Sequence, residues 1–129
     1  MDDLTTSLSS LFIPKEIRDH FDCVKMEEIS NCLYLVCHEK DDADHIPKEI
    51  FKVGKVKLDG FTNKIDIQTF PAQGKEVFIR LYRRKWRLKK VPIDKELEFN
   101  KSYTNSYQFT EEGIKATKEF GAFLKEIDR

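Results

Sequence analysis

The sequence predicts an α+β domain: an antiparallel sheet with a short amino-terminal helix and a longer carboxy-terminal one. Three observations carry that expectation. Apolar residues alternate at period two through residues 64–88, a four-residue apolar spacing precedes the first strands, and a stripe at helical spacing closes the chain. With 129 residues, 40% hydrophobic and 36% charged, residues 1–129 make one domain with one packed core. The polar start, MDDLTTSLSS, is expected to be disordered over residues 1–10.

In chain order, FIPKEIRDHF (12–21) places Pro14 where a first helical position suits it and spaces Ile13, Ile17 and Phe21 by four, which predicts a short amphipathic helix. DCVKMEEISNCLYLVCHEK (22–40) reads as two strands around the turn pair Ser30-Asn31. The second strand is apolar on both faces, which suits an interior position in a sheet. EKDDADHIPKEIF (39–51) is an acidic, solvated connection with one helical turn after Pro47. KIDIQTF (64–70) and EVFIRLYRRKWRL (76–88) flank PAQGK (71–75), a β-hairpin pattern. Residues 89–109 are weakly patterned, with ELEF (96–99) and SYQF (106–109) as a further hairpin broken by Pro92. The last segment, 110–129, reads as a helix with Thr110 as N-cap and Glu111 and Glu112 in its first turn. Its stripe of Ile114, Thr117, Phe120, Phe123, Leu124 and Ile127 is expected to pack on the sheet, with Gly113 and Gly121 weakening the helix.

Several function classes find no support. No apolar run approaches the ~20 residues of a membrane span, and the amino terminus carries acids where an export signal carries basic residues, so a cytoplasmic location is expected. Cys23, Cys32 and Cys37 are an odd number inside apolar segments, which fits reduced thiols rather than a disulfide framework. His20, His38 and His45 lack the paired spacings of a metal site, and Cys37 with His45 lacks the surroundings of a catalytic pair. No catalytic residue, metal or cofactor is expected.

The strongest signal is charge. Between residues 80 and 90 stand Arg80, Arg83, Arg84, Lys85, Arg87, Lys89 and Lys90 without a carboxylate, in a chain of zero formal charge. On one continuous strand, Val77, Ile79 and Leu81 face a core, while Phe78, Arg80, Tyr82, Arg84 and Trp86 share the opposite face. A strand cationic on both faces cannot be buried at that end, so the hairpin is expected to project from the body or run along its edge. Edge protection explains some such charge. Aromatics interleaved with guanidinium groups also fit nucleic acid, with the cations on phosphates or base edges and Tyr82 and Trp86 stacking or wedging.

The run DIQTFPAQGKEVFIRLYRRKW resembles the I-T-I-Q-D-F-P-x-R-G-K-x-V-x-L-x-x-R-R-R-R-W core of the N-terminal-region proteins of a bacterial insertion-sequence transposase family, short reading frames encoded beside a DDE-type transposase. FIPKEIRDHFDCVKMEE is similar to the opening of that family and TKEFGAFLKEIDR to its close, so the resemblance spans nearly the whole chain in order. Gln68, Phe70, Pro71, Gly74 and Lys75 match the turn motif, and Arg83, Arg84, Lys85 and Trp86 the basic cluster. RLKKVPIDKELEFNKSYTNSYQF departs from the pattern, lacking its Gly-containing turn and Trp-bearing strand.

The resemblance implies a transposon-associated accessory or DNA-binding region that acts with a separately encoded catalytic subunit; with the basic run, it leads us to expect that transposon ends are met through the hairpin of residues 75–90, Lys75 included. No triad of converging carboxylates is laid out in this chain, so the chemistry is expected in that partner. Two alternatives stay open. One is a protein-interaction module docking on the transposase; the other is binding of RNA or single strands by the aromatics.

Overall fold

The computed structural model describes residues 11–53, 55–90, 97–110 and 115–127. Within them the α+β expectation holds. A one-turn helix α1 (Lys15–Arg18) leads into strands β1 (Phe21–Ile29) and β2 (Cys32–Glu39). After a 3-10 turn at Ala43–His45 and a one-turn helix α2 (Lys48–Phe51) come β3 (Val56–Phe61), β4 (Ile65–Ala72), β5 (Lys75–Tyr82), β6 (Arg84–Leu88) and helix α3 (Lys118–Ile127).

Two hairpins build the main sheet, and the same turn chemistry closes both. Ser30 and Asn31 take φ of 51° and 65°, and Gln73 and Gly74 take 56° and 75°. Two successive left-handed residues match the right-handed twist of the flanking strands, so each turn needs only two residues. The hairpins lie side by side in the order β1-β2-β5-β4. Every pairing in that sheet is antiparallel except the join, where β2 runs parallel to β5 with Leu35 beside Ile79. Parallel strands need a long crossover, and the stretch holding α2, β3 and β4 supplies it.

The odd positions of β2 and β5 face one core. Leu35, Cys37, Val77, Ile79 and Leu81 are buried there with Ile13, Ile17, Phe21, Cys23, Ile67 and Phe109. Each fully buried aliphatic side chain contributes about 1.5–3 kcal/mol. Beyond Tyr82 the chain leaves this sheet at Arg83, and β6 pairs with β3 in a separate two-stranded ribbon. The buried side then changes parity: Trp86 and Leu88 enter a second core with Ile50 and Tyr103. One chain segment thus serves two cores by turning opposite faces to them.

Several expectations change. The basic hairpin does not project: β5 lies between β2 and β4, inside the sheet. Phe21 opens β1 rather than ending a helix. The carboxy-terminal helix starts at Lys118, not near Thr110, because Thr110 forms a bridge with Thr117. The Thr117 hydroxyl accepts from the Phe120 N–H at 3.2 Å and closes the helix start in Thr110's stead. Of the helical stripe, Thr117 and Phe120 are buried, whereas Phe123 and Ile127 stay 48% and 59% exposed. Glu111, Glu112, Gly113 and Ile114 lie outside the described residues, as do Pro92 and, of the further hairpin, Glu96. Residues 97–110 form no hairpin; they turn at residues 99–100 and meet the ribbon through one bridge, Trp86 to Tyr103.

Candidate nucleic-acid interface

The arginines of the basic run are tied down one by one. Arg80 donates to both oxygens of Asp66 at 2.8 and 3.1 Å and stands 4.1 Å over the Tyr34 ring. The Asp66 carboxylate raises the Arg80 pKa, fixing its charge. Arg83 donates to the Asn105 carbonyl at 2.8 Å. Arg84 donates from Nε to the Glu39 carbonyl at 2.6 Å and lies 4.8 Å over the Phe61 ring. Arg87 pairs with Asp59 and donates to the Asn100 carbonyl at 3.1 Å. These bonds resolve the problem of a strand cationic on both faces: buried or half-buried guanidinium groups are tolerated because acceptors meet them.

Other predicted site residues part company. Lys75 sits at the β4–β5 turn and pairs with Glu28 at 2.6 Å. At about 3.3 Å per residue it lies roughly 23 Å from Tyr82 along β5. Tyr82 is half-buried between His38 and Phe61, with ring centroids at 5.8 and 6.1 Å. Trp86 is 5% exposed inside the second core, so the stacking or wedging role expected of it is overturned. The parity change at Arg83 is the physical reason, since it turns the even positions of β6 inward. Lys85 is half-buried, Lys89 and Lys90 are exposed, and none of the three forms an ion pair with the described residues.

The structure also brings together cations that the basic run alone did not reveal. In the β3–β6 ribbon Lys57 lies directly opposite Arg87, and directly opposed residues share a face. Lys85, two residues along β6, is on that face too, and Asp59, at the register shift between Leu58 and Phe61, reaches it through its ion pair with Arg87. At the other end the Lys89 N–H donates to the Lys55 carbonyl at 2.8 Å, extending the same register. Five cations, Lys55, Lys57, Lys85, Arg87 and Lys89, therefore share the outward face with one acid, Asp59. Trp86, Leu88 and Val56 hold the inward face. Lys55 and Lys57 were legible as polar positions alternating with Val56 and Leu58, but only pairing with β6 places them beside the arginine-rich strand. Like charges directly opposite one another destabilise a ladder, so this face carries a cost that a bound polyanion would offset.

Around the ribbon the polar groups are structural. Glu39 is fully buried and accepts from the Arg84 backbone N–H at 2.8 Å, from Asn105 Nδ2 at 3.0 Å and from the Tyr107 hydroxyl. Burial and that carboxylate raise the Tyr107 pKa, so its phenol stays protonated and donating. Burial first, then Arg84 and Lys25, lower the His38 pKa, which favours its neutral imidazole. Cys23 and Cys37 face each other across β1 and β2 as free thiols, and their mutual contact and burial hold the Cys37 thiol protonated. Among the described residues no three His, Cys, Asp or Glu side chains converge as a metal site would require, and no helix is long and apolar enough to cross a membrane.

No family model, curated protein or solved structure matches the chain.

Proposed function

We propose that the chain is a non-catalytic, transposon-associated nucleic-acid-binding domain that takes duplex DNA on the outward face of the β3–β6 ribbon and works beside a separate catalytic subunit. The family context comes from the sequence resemblance. The observation that supports the binding surface is the row of Lys55, Lys57, Lys85, Arg87 and Lys89 on one side of a two-stranded ribbon. Such a ribbon is narrow enough for a major groove about 12 Å wide. Its lysine ammonium groups suit phosphates as point charges, and the ribbon's own second face, filled by Trp86 and Leu88, keeps it rigid.

The test is fluorescence anisotropy with a short labelled duplex over a salt series. If four cations meet phosphates, log K falls with log salt at a slope of roughly −3.6. Replacing Lys57, Lys85 and Lys89 together by Gln should flatten that slope by roughly 2.7, whereas Arg80→Gln, whose guanidinium is spent on Asp66, should leave it unchanged. Affinity that ignores salt, or a triple variant that binds like the parent, would sink the reading.

A docking role has its own support: Phe70, Phe123 and Ile127 are 41%, 48% and 59% exposed, with Phe70 and Phe123 ring centroids 5.7 Å apart. Under that reading Phe123→Ser abolishes capture by the transposase and the triple lysine variant does not.

A further inference from the structure

A cavity of about 280 Å³ lies against the core face of the main sheet, beneath residues 106–110. Its wall is apolar and largely aromatic: Phe21, Ile67, Leu81 and Phe109 line it, and Tyr107 stacks on Phe109 with centroids 4.9 Å apart and planes 13° from parallel. Among the described residues only two charged groups line it, Arg83 and Lys115, and both are cations.

The two cations differ in how they are held. Arg83 is anchored through Nη1 on the Asn105 carbonyl, while its Nε is buried without an acceptor. Buried N–H groups are almost always paired, and the folded chain itself leaves this one unanswered. Lys115 is exposed, and its backbone is fixed to β4 because its carbonyl accepts from the Gln68 N–H at 3.0 Å. Ser106 and Thr110 add hydroxyls to the same wall. A cavity lined by aromatic rings, with two cations and no described acid, is complementary to an apolar ring that carries an anionic group.

We infer that this cavity binds a single nucleotide, its base against the Phe21, Tyr107 and Phe109 rings and its phosphate between Arg83 and Lys115. A nucleotide in a paired duplex cannot enter, so the base must be unpaired. Arg83 directly precedes β6 in the chain, which joins the cavity to the ribbon. Taking the nucleotide from a nucleic acid rests on the function proposed above; the ring-and-anion chemistry of the site stands without it.

The experiment uses 2-aminopurine fluorescence, which is quenched when the base stacks on an aromatic ring. 2-Aminopurine nucleoside monophosphate should bind saturably, the uncharged nucleoside at least tenfold more weakly. Lys115→Gln, a change on the surface, should weaken the monophosphate about tenfold and leave the nucleoside unchanged, a split that loss of folding would not produce. In the second arm, 2-aminopurine in a one-base bulge should be quenched and the same base opposite thymine should not. A saturable monophosphate with a silent bulge overturns the nucleic-acid source. No saturable signal from either probe overturns the site, and anisotropy of a fully paired duplex then reports separately whether the ribbon reading has failed.

Discussion

Glu39 has no exposed surface, yet three donors converge on its carboxylate from β6 and from residues 105 and 107. A buried carboxylate is tolerated on such terms only, because each lost partner exposes a full desolvation penalty. Glu39→Ala would strand the Arg84 backbone N–H and the Tyr107 hydroxyl together, while the Asn105 amide keeps the His45 carbonyl as an acceptor. A destabilisation of about 3 kcal/mol is expected in urea titration, and one below about 1 kcal/mol would show that the donors find other acceptors. His38 sets a pH dependence. Burial, helped by Arg84 and Lys25, holds its pKa below 6.5 in the fold. The unfolded chain therefore takes up the proton first as pH falls, so stability is full above the unfolded value and is lost as pH drops through it. Replacing His38 by Gln should flatten the melting temperature between about pH 7.5 and 5.5; an unchanged slope would assign the effect to another group. Trp86 shows how little residue type alone says about exposure: an indole in a cationic run looks like a stacking platform, and in the fold it fills a core with Ile50, Leu88 and Tyr103.

At the level of elements, the β3–β6 ribbon trades stability for charge. Lys57 faces Arg87 directly, a repulsive pair on a ladder where an opposite-charge pair contributes about 0.2–1 kcal/mol. Lys57→Glu should therefore raise the melting temperature while weakening duplex binding in the anisotropy assay. If duplex binding is unchanged, the ribbon face is not the binding surface; if the melting temperature falls, Lys57 serves the fold. The two hairpins of the main sheet carry no such conflict. Both hairpins and the Ser30-Asn31 turn were legible in the sequence because a period of two and a left-handed turn are local properties, whereas the loop expected over residues 71–75 narrows in the fold to Gln73-Gly74, with Pro71 and Ala72 in β4 and Lys75 in β5. The start of α3 was not legible. A Thr-Glu-Glu opening is a good cap in isolation, and a tertiary contact, the bridge of Thr110 to Thr117, moved the start to Thr117.

On the scale of the whole molecule, two cores share one chain segment, β5 followed by β6. Val77, Ile79 and Leu81 belong to the first and Trp86 and Leu88 to the second, with only Arg83 between β5 and β6. The buried bonds of Glu39 to Arg84, Asn105 and Tyr107 tie the two together. Such coupling predicts one cooperative transition. Trp86, the sole tryptophan, reports the second core by fluorescence, and far-UV circular dichroism reports mainly the larger sheet. Their urea midpoints should coincide; separated midpoints would mean that the ribbon melts independently.

The sequence by itself determined the α+β class, the two hairpins, the core face of Val77, Ile79 and Leu81 and the concentration of cations in residues 80–90, since each follows from local periodicity, turn chemistry or composition. Only the tertiary structure decided which of those cations remain available. Pairing β6 with β3 rather than continuing β5 reversed the parity of burial, drew Trp86 inward, spent Arg80 and Arg84 on acceptors distant in sequence, anchored Arg83 through Nη1 alone, and set Lys55 and Lys57 beside Lys85 and Arg87. Partners so far apart along the chain leave no local pattern, because what selects them is the long-range matching of buried faces and unpaired donors.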